Sequence, residues 1–229
     1  MVVLKDTASH MVLMPPPIGG ISPTHVTLKS REGLIRIFDP TQYGSTATSF
    51  RSYGPISRFD HHRKYSNKID PDRSVIYAGL TLSCCLVEVF GDCGVIALEQ
   101  RQVAFLTLTN DIKLLDIRGS GSMGAGTVAA ISGVTQRDIS QAWGKYFYEH
   151  PELYDEIEGL IFSARKRVEV SSTSASLASG AHNGEDAIVL YERAKPKIES
   201  ARVGVLNLNH PDLVAPILEI AEVHGLFVK

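Results

Sequence analysis

The sequence predicts an α+β fold. Three features predict it: short β-rich runs arrive in ones and twos, helical stripes are few, and no regular β-α-β alternation links them. The chain has 229 residues, room for one large domain or one domain with extensions. Residues 1–33 read as an N-terminal extension, because Pro15, Pro16, Pro17, Gly19 and Gly20 argue against regular structure. Residues 34–195 read as the main domain, and 196–229 as a strand-helix extension packed on it.

Each element has its own signal. Residues 34–38 (LIRIF) form a short β-rich run with one charge in its middle. Residues 39–74 are loop-rich and carry the one locally basic segment. There Arg51, Arg58, Arg63, Lys64, Lys68 and Arg73 face only Asp60, Asp70 and Asp72, and His61 and His62 add latent charge. Residues 75–79 (VIYAG) read as a second strand, after which Thr81 can cap a helix. Leu82, Cys85, Leu86 and Val89 then recur as a core-facing stripe, with Glu88 beside it. Strands are expected at 103–108 and 112–117. A helix capped by Asp138 should bury Ile139, Ala142, Trp143, Tyr146 and Phe147, with Pro151 beyond its end. Residues 159–163 and 187–191 read as strands flanking a Ser/Gly-rich loop at 171–184. The tail reads as a strand at 203–208 and a helix at 212–224 stopped by Gly225.

Composition narrows the function. Apolar residues are 44% and charged residues 21%, enough apolar material for a packed core. Lys and Arg total 23 against 25 Asp and Glu, so the net charge of −2 gives no support to direct nucleic-acid binding or to attachment at an anionic membrane. No run approaches a membrane span, and the N-terminus lacks the apolar core of a secretion signal. Three clustered cysteines, Cys84, Cys85 and Cys93, fit a reducing compartment and read as buried structural thiols. A cytoplasmic site of action is expected; export without a signal would leave no mark of this kind.

Arg36 inside a strand and Glu88 on the flank of a core helix stand out, because a buried charge needs a partner. Taken singly they read as a structural ion pair, Tyr77 as a half-buried strand tyrosine, and Ser163 as a strand-end residue. Taken in order they form a set: Arg36 on a first strand, Arg58 in Ser57-Arg58-Phe59-Asp60, Tyr77 on a second strand, Glu88 eleven residues later, Ser163 closing 159–163, and a final strand at 186–191. This set resembles the RES domain family over roughly residues 34–194. Ser57 and Asp60 stand where the family usually has Gly and Asn, Phe59 where it has Trp, and Phe162 where Pro is common.

The resemblance implies an ADP-ribosyltransferase-like mixed β-sheet with flanking helices, acting on NAD+ as substrate and needing no metal. It implies a toxin-like enzyme that breaks the nicotinamide–ribose bond as a glycohydrolase or phosphorylase, neutralised by a helix-turn-helix antitoxin or an immunity protein. An oligomer is compatible with it. The alternatives are mono-ADP-ribosyl transfer to a protein and a degenerate RES fold that only binds. The residue types suit the first reading: bond cleavage builds positive charge on the ribose, which Glu88 can stabilise. Arg36 and Arg58 offer forks for a pyrophosphate, Tyr77 a ring face for nicotinamide, and Ser163 a hydroxyl for the ribose or amide. The basic segment around Arg58 is expected to attract the dinucleotide.

Two rival motifs are weaker. Gly119-Ser120-Gly121-Ser122-Met123-Gly124 matches G-x-G-x-x-G, but Asp138, nineteen residues on, falls on a helical stripe rather than at a strand end. A flexible Gly/Ser loop is the better expectation. His61, His62 and the three cysteines lack the spacing of a zinc site.

Overall fold

The structure is a computed structural model that describes residues 3–5, 11–64, 67–164 and 185–229. The loop expected at 171–184 lies outside these residues. Eight strands build the central sheet: β1 (His25–Leu28), β2 (Gly33–Phe38), β3 (Val75–Gly79), β4 (Gln102–Leu108), β5 (Ile112–Asp116), β6 (Gly159–Ser163), β7 (Asp186–Tyr191) and β8 (Ile198–Asn207). Their order is β8-β4-β2-β3-β7-β6-β5-β1. Only β5 and β6 run parallel; the other neighbours are antiparallel. Three longer helices accompany the sheet: α1 (Leu82–Phe90), α2 (Arg137–Glu149) and α3 (Pro211–His224). The fold is α+β.

Alternation along the strands divides the core. Leu160, Phe162, Val189 and Tyr191 face Trp143, Phe147 and Tyr154 of the α2 layer. Ile161, Ile188 and Leu190 point the other way and join Leu34, Ile76 and Leu106. A third cluster packs Leu86 and Phe90 of α1 against Val103, Leu213 and Ile217. Thr81 caps α1 as expected, its side chain accepting from the Cys84 amide, and Gly225 ends α3 in the left-handed region.

Several expectations are corrected. Segment 1–33 is not devoid of regular structure: β1 pairs with β5 at the sheet edge. A four-residue strand placed after a Pro- and Gly-rich stretch has too few residues to show period-2 alternation. The helix at 137–149 begins at Gln136 without a side-chain cap, and Asp138 sits in its first turn instead. Val89 is 39% exposed rather than in the core, which buries Cys84, Cys85, Leu86, Val87 and Phe90. The G-x-G-x-x-G stretch forms a short helix, Ser120–Gly124, not a flexible loop. A Cβ at Gly121 would lie 2.5 Å from the Asp116 carbonyl oxygen and one at Gly124 2.6 Å from that of Ser22, so both glycines permit backbone contact. Cys93 is exposed, unlike Cys84 and Cys85.

Candidate active site

The site is built on a break in the sheet. Strand β3 pairs with Arg51 at its start, through Val75, and with Ile35 of β2 at its end, through Gly79. Between those points β2 and the loop after it do not pair with β3, so Tyr77 and Ala78, which pair with Val189 and Ile188 of β7 on one side, border an opening on the other. A cavity of about 250 Å³ occupies it.

Arg36 takes the place of the missing ladder. Its Nη1 donates to the carbonyl oxygens of Thr46, Ala47 and Ser49 at 2.9, 3.1 and 2.9 Å, fastening the departing loop beside the gap. Burial, with the Arg51 charge adding to it, lowers the Arg36 pKa to about 10, which leaves the guanidinium charged at neutral pH.

The turn carrying Arg58 is organised by Asp60, which is buried. Asp60 Oδ2 accepts from the amides of Ile56 and Ser57 at 2.6 and 2.9 Å. Arg51 Nη2 donates to both carboxylate oxygens at 3.0 and 2.8 Å. The Tyr77 hydroxyl donates to Asp60 Oδ1 at 2.9 Å and accepts from the Phe59 amide at 3.2 Å. Burial, then the Asp60 charge, push the Tyr77 pKa far above the usual phenol value. Its hydroxyl is thus a strut joining β3 to the turn, and its ring borders the cavity. Helix α2 backs the same turn: Gln141 Nε2 donates to the Ser57 carbonyl at 3.0 Å, and Gly144 lets the helix approach until a Cβ there would lie 2.8 Å from the Phe59 carbonyl oxygen.

Four of the five expected site residues, Arg36, Arg58, Tyr77 and Glu88, line this one cavity. Arg58 Nη1 also donates to the Val134 carbonyl at 2.6 Å. Glu88 is exposed on α1 rather than embedded in the core, and its side chain lies on the cavity wall. Ser163 stands apart. Its neighbour Phe162 lines the cavity, and strand alternation sends Ser163 to the opposite face, exposed, with Asp186 as register partner.

Sequence reasoning missed Arg137 and Asp92, which also line the cavity, and the role of Asp60. Asp92 follows Glu88 by one helical turn, a signal that could have been read. Arg137 looks like any solvent-facing charge at a helix start. The basic segment is also less basic than its sequence implies: Arg51 pairs with Asp60, Arg63 with Asp70 and Asp72, and Arg73 with Glu149. His61 is a buried partner of Glu192, at 2.8 Å, its ring tilted against those of Tyr148 and Tyr191. Among the described residues, no group of three or more His, Cys, Asp or Glu side chains is placed to hold a metal ion.

The cavity lining therefore carries both signs of charge. The turn, β2 and the start of α2 contribute Arg36, Arg58 and Arg137; α1 and the turn after it contribute Glu88 and Asp92. Such a site favours a ligand with an anionic middle and a cationic end.

Comparison with known proteins agrees with this architecture. The RES domain family model matches residues 34–214. No curated protein matches the chain. A chain of the M. tuberculosis MbcT–MbcA toxin–antitoxin complex superposes with a TM-score of 0.51 at 14% identity, covering 86% of this chain and 92% of that one. At that identity the likeness is one of fold.

Proposed function

Because this chain belongs to the RES domain family, we propose that it is an NAD+-consuming, toxin-like enzyme that cleaves the nicotinamide–ribose bond. The observation carrying this reading is one cavity lined by three arginines, Arg36, Arg58 and Arg137, and two carboxylates, Glu88 and Asp92. NAD+ has a matching asymmetry: an anionic pyrophosphate and a cationic nicotinamide-ribose end.

In this reading the C–N bond at ribose C1′ breaks and its electron pair leaves with nicotinamide, which becomes neutral. Positive charge develops on the ribose. Glu88, on the cavity wall, stabilises that charge, and the field of a carboxylate acts strongly where water is partly excluded. An acceptor oxygen then bonds to C1′ and releases its proton to solvent; water gives ADP-ribose and phosphate gives ADP-ribose 1″-phosphate. Arg36 and Arg58 hold the pyrophosphate. The Tyr77 ring offers its face to the nicotinamide, since its hydroxyl is held by Asp60. Ser163, on the far face of β6, takes no part. A proteinaceous antitoxin is the proposed partner, supported by the toxin–antitoxin complex to which the fold is similar, and the cytoplasm is the proposed site of action.

The test is nicotinamide release from NAD+ by purified protein, with and without phosphate. Glu88→Gln should lower the rate by about 10²-fold or more while leaving the melting temperature unchanged, because Glu88 is exposed. A folded, partner-free wild type that releases no nicotinamide under either condition overturns the reading. Label from NAD+ appearing on protein instead would redirect it to ADP-ribosyl transfer.

A further inference from the structure

We infer that Arg137 is a substrate-binding residue that pairs with Arg58 to clamp the pyrophosphate of the dinucleotide, an inference that rests on the cavity being a dinucleotide site. The two side chains are fastened reciprocally. Arg58, on the turn, donates to the Val134 carbonyl just ahead of α2; Arg137, at the start of α2, donates through Nη1 to the Ile56 carbonyl at 3.1 Å, just ahead of the turn. Each guanidinium thus reaches across to the other's segment, and both residues line the cavity.

That arrangement puts two arginines on the lining of one cavity. Among the described residues no carboxylate pairs with Arg137, in contrast to Arg51 and Arg73, which have one each, and Arg63, which has two. An exposed guanidinium on a cavity lining with no carboxylate beside it attracts an anion. A pyrophosphate is suited to that place, because each fork can take two oxygens in parallel bonds. One Nη1 of each arginine is already committed to a carbonyl, which fixes the plane of the fork and lowers the entropy lost on binding. Arg36, more deeply buried and bonded to three carbonyls, is a wall of the site, whereas Arg137 is exposed and accessible to an arriving anion.

The test uses the full chain and three probes: ADP, nicotinamide and NAD+. Calorimetry should show Arg137→Gln binding ADP about tenfold more weakly than wild type, the loss expected for one charge-assisted contact, with nicotinamide binding unchanged. In turnover of NAD+, KM should rise about tenfold with kcat within about twofold. Arg137→Lys, which keeps the charge without the fork, should fall between and serves if the Gln variant folds poorly. Equal ADP affinity in wild type and both variants overturns the inference while leaving the proposed reaction intact. Wild-type protein that binds ADP through Arg137 but releases no nicotinamide upholds the clamp and overturns the reaction. Wild-type protein that binds no ADP at millimolar concentration overturns the clamp.

Discussion

Replacing Asp60 tests whether the site is held by one buried carboxylate. Asp60→Ala removes the acceptor of five hydrogen bonds: two from Arg51, two from the amides of Ile56 and Ser57, and one from the Tyr77 hydroxyl. Arg51 keeps only the Tyr53 carbonyl and a 3.3 Å contact to the Ser57 hydroxyl. Breaking one side of a buried ion pair costs about 3–5 kcal/mol, and each buried donor left without a partner about 1–3 kcal/mol. These groups share one acceptor, so the costs do not add, and about 4 kcal/mol in total is the reasoned figure. At about 2–4 °C per kcal/mol for a chain of this size, the melting temperature should drop by about 8–16 °C. Asp60→Asn keeps the shape and one acceptor oxygen, and should lose less than half as much. Thermal melts by circular dichroism read the first effect. Nicotinamide release, measured well below both melts, reads the second: the Ala variant should lose most of its activity and the Asn variant should retain more of it. An Asp60→Ala protein melting within about 2 °C of wild type would refute the argument that this carboxylate ties Tyr77 to the Arg58 turn.

Gly144→Ala should destabilise by about 1–3 kcal/mol, since the new methyl meets the Phe59 backbone, which has no side-chain freedom to yield; a raised melting temperature, the outcome helix propensity alone would give, contradicts this. Acid should weaken the fold in two steps. Burial holds the His61 pKa below its ordinary 6.5, so the unfolded chain binds a proton there that the folded chain refuses, and stability falls as pH drops below that value. Burial raises the Glu192 pKa, but its bonds from His61 and Tyr148 outweigh that and hold it at about 2, so its contribution fades as pH falls from 4.5 toward 2. Urea midpoints at pH 7 and pH 5 should differ, and the gap should narrow in His61→Phe, which keeps an aromatic ring beside Tyr148 and Tyr191 but does not titrate; an unchanged gap would contradict the assignment.

The parts legible in the sequence were those set by local pattern. The strands around Arg36 and Tyr77 declare themselves by β-branched runs, and α1 by a Thr cap and a 3.6-residue stripe. The convergence of Arg36, Arg58, Tyr77 and Glu88 was legible only as an ordered set resembling a family, because separations of 11 to 52 residues carry no geometry by themselves. Other features depended on tertiary context. Whether Ser163 or Phe162 faces the cavity turns on a single residue of register. The basicity of 51–73 vanished because its acids, spaced nine and seven residues from Arg51 and Arg63, fold back onto them. Arg137 had no signal, since its placement follows from where α2 docks on the turn.

One consequence concerns Arg36. A guanidinium that stands in for an absent backbone ladder is architecture as well as chemistry, so an inactive Arg36→Ala protein would say little about turnover. Glu88, projecting from a helix that is anchored by other residues, is the better position for a silent mutant: a faithful decoy, unchanged in outline, with which to test for the proposed antitoxin.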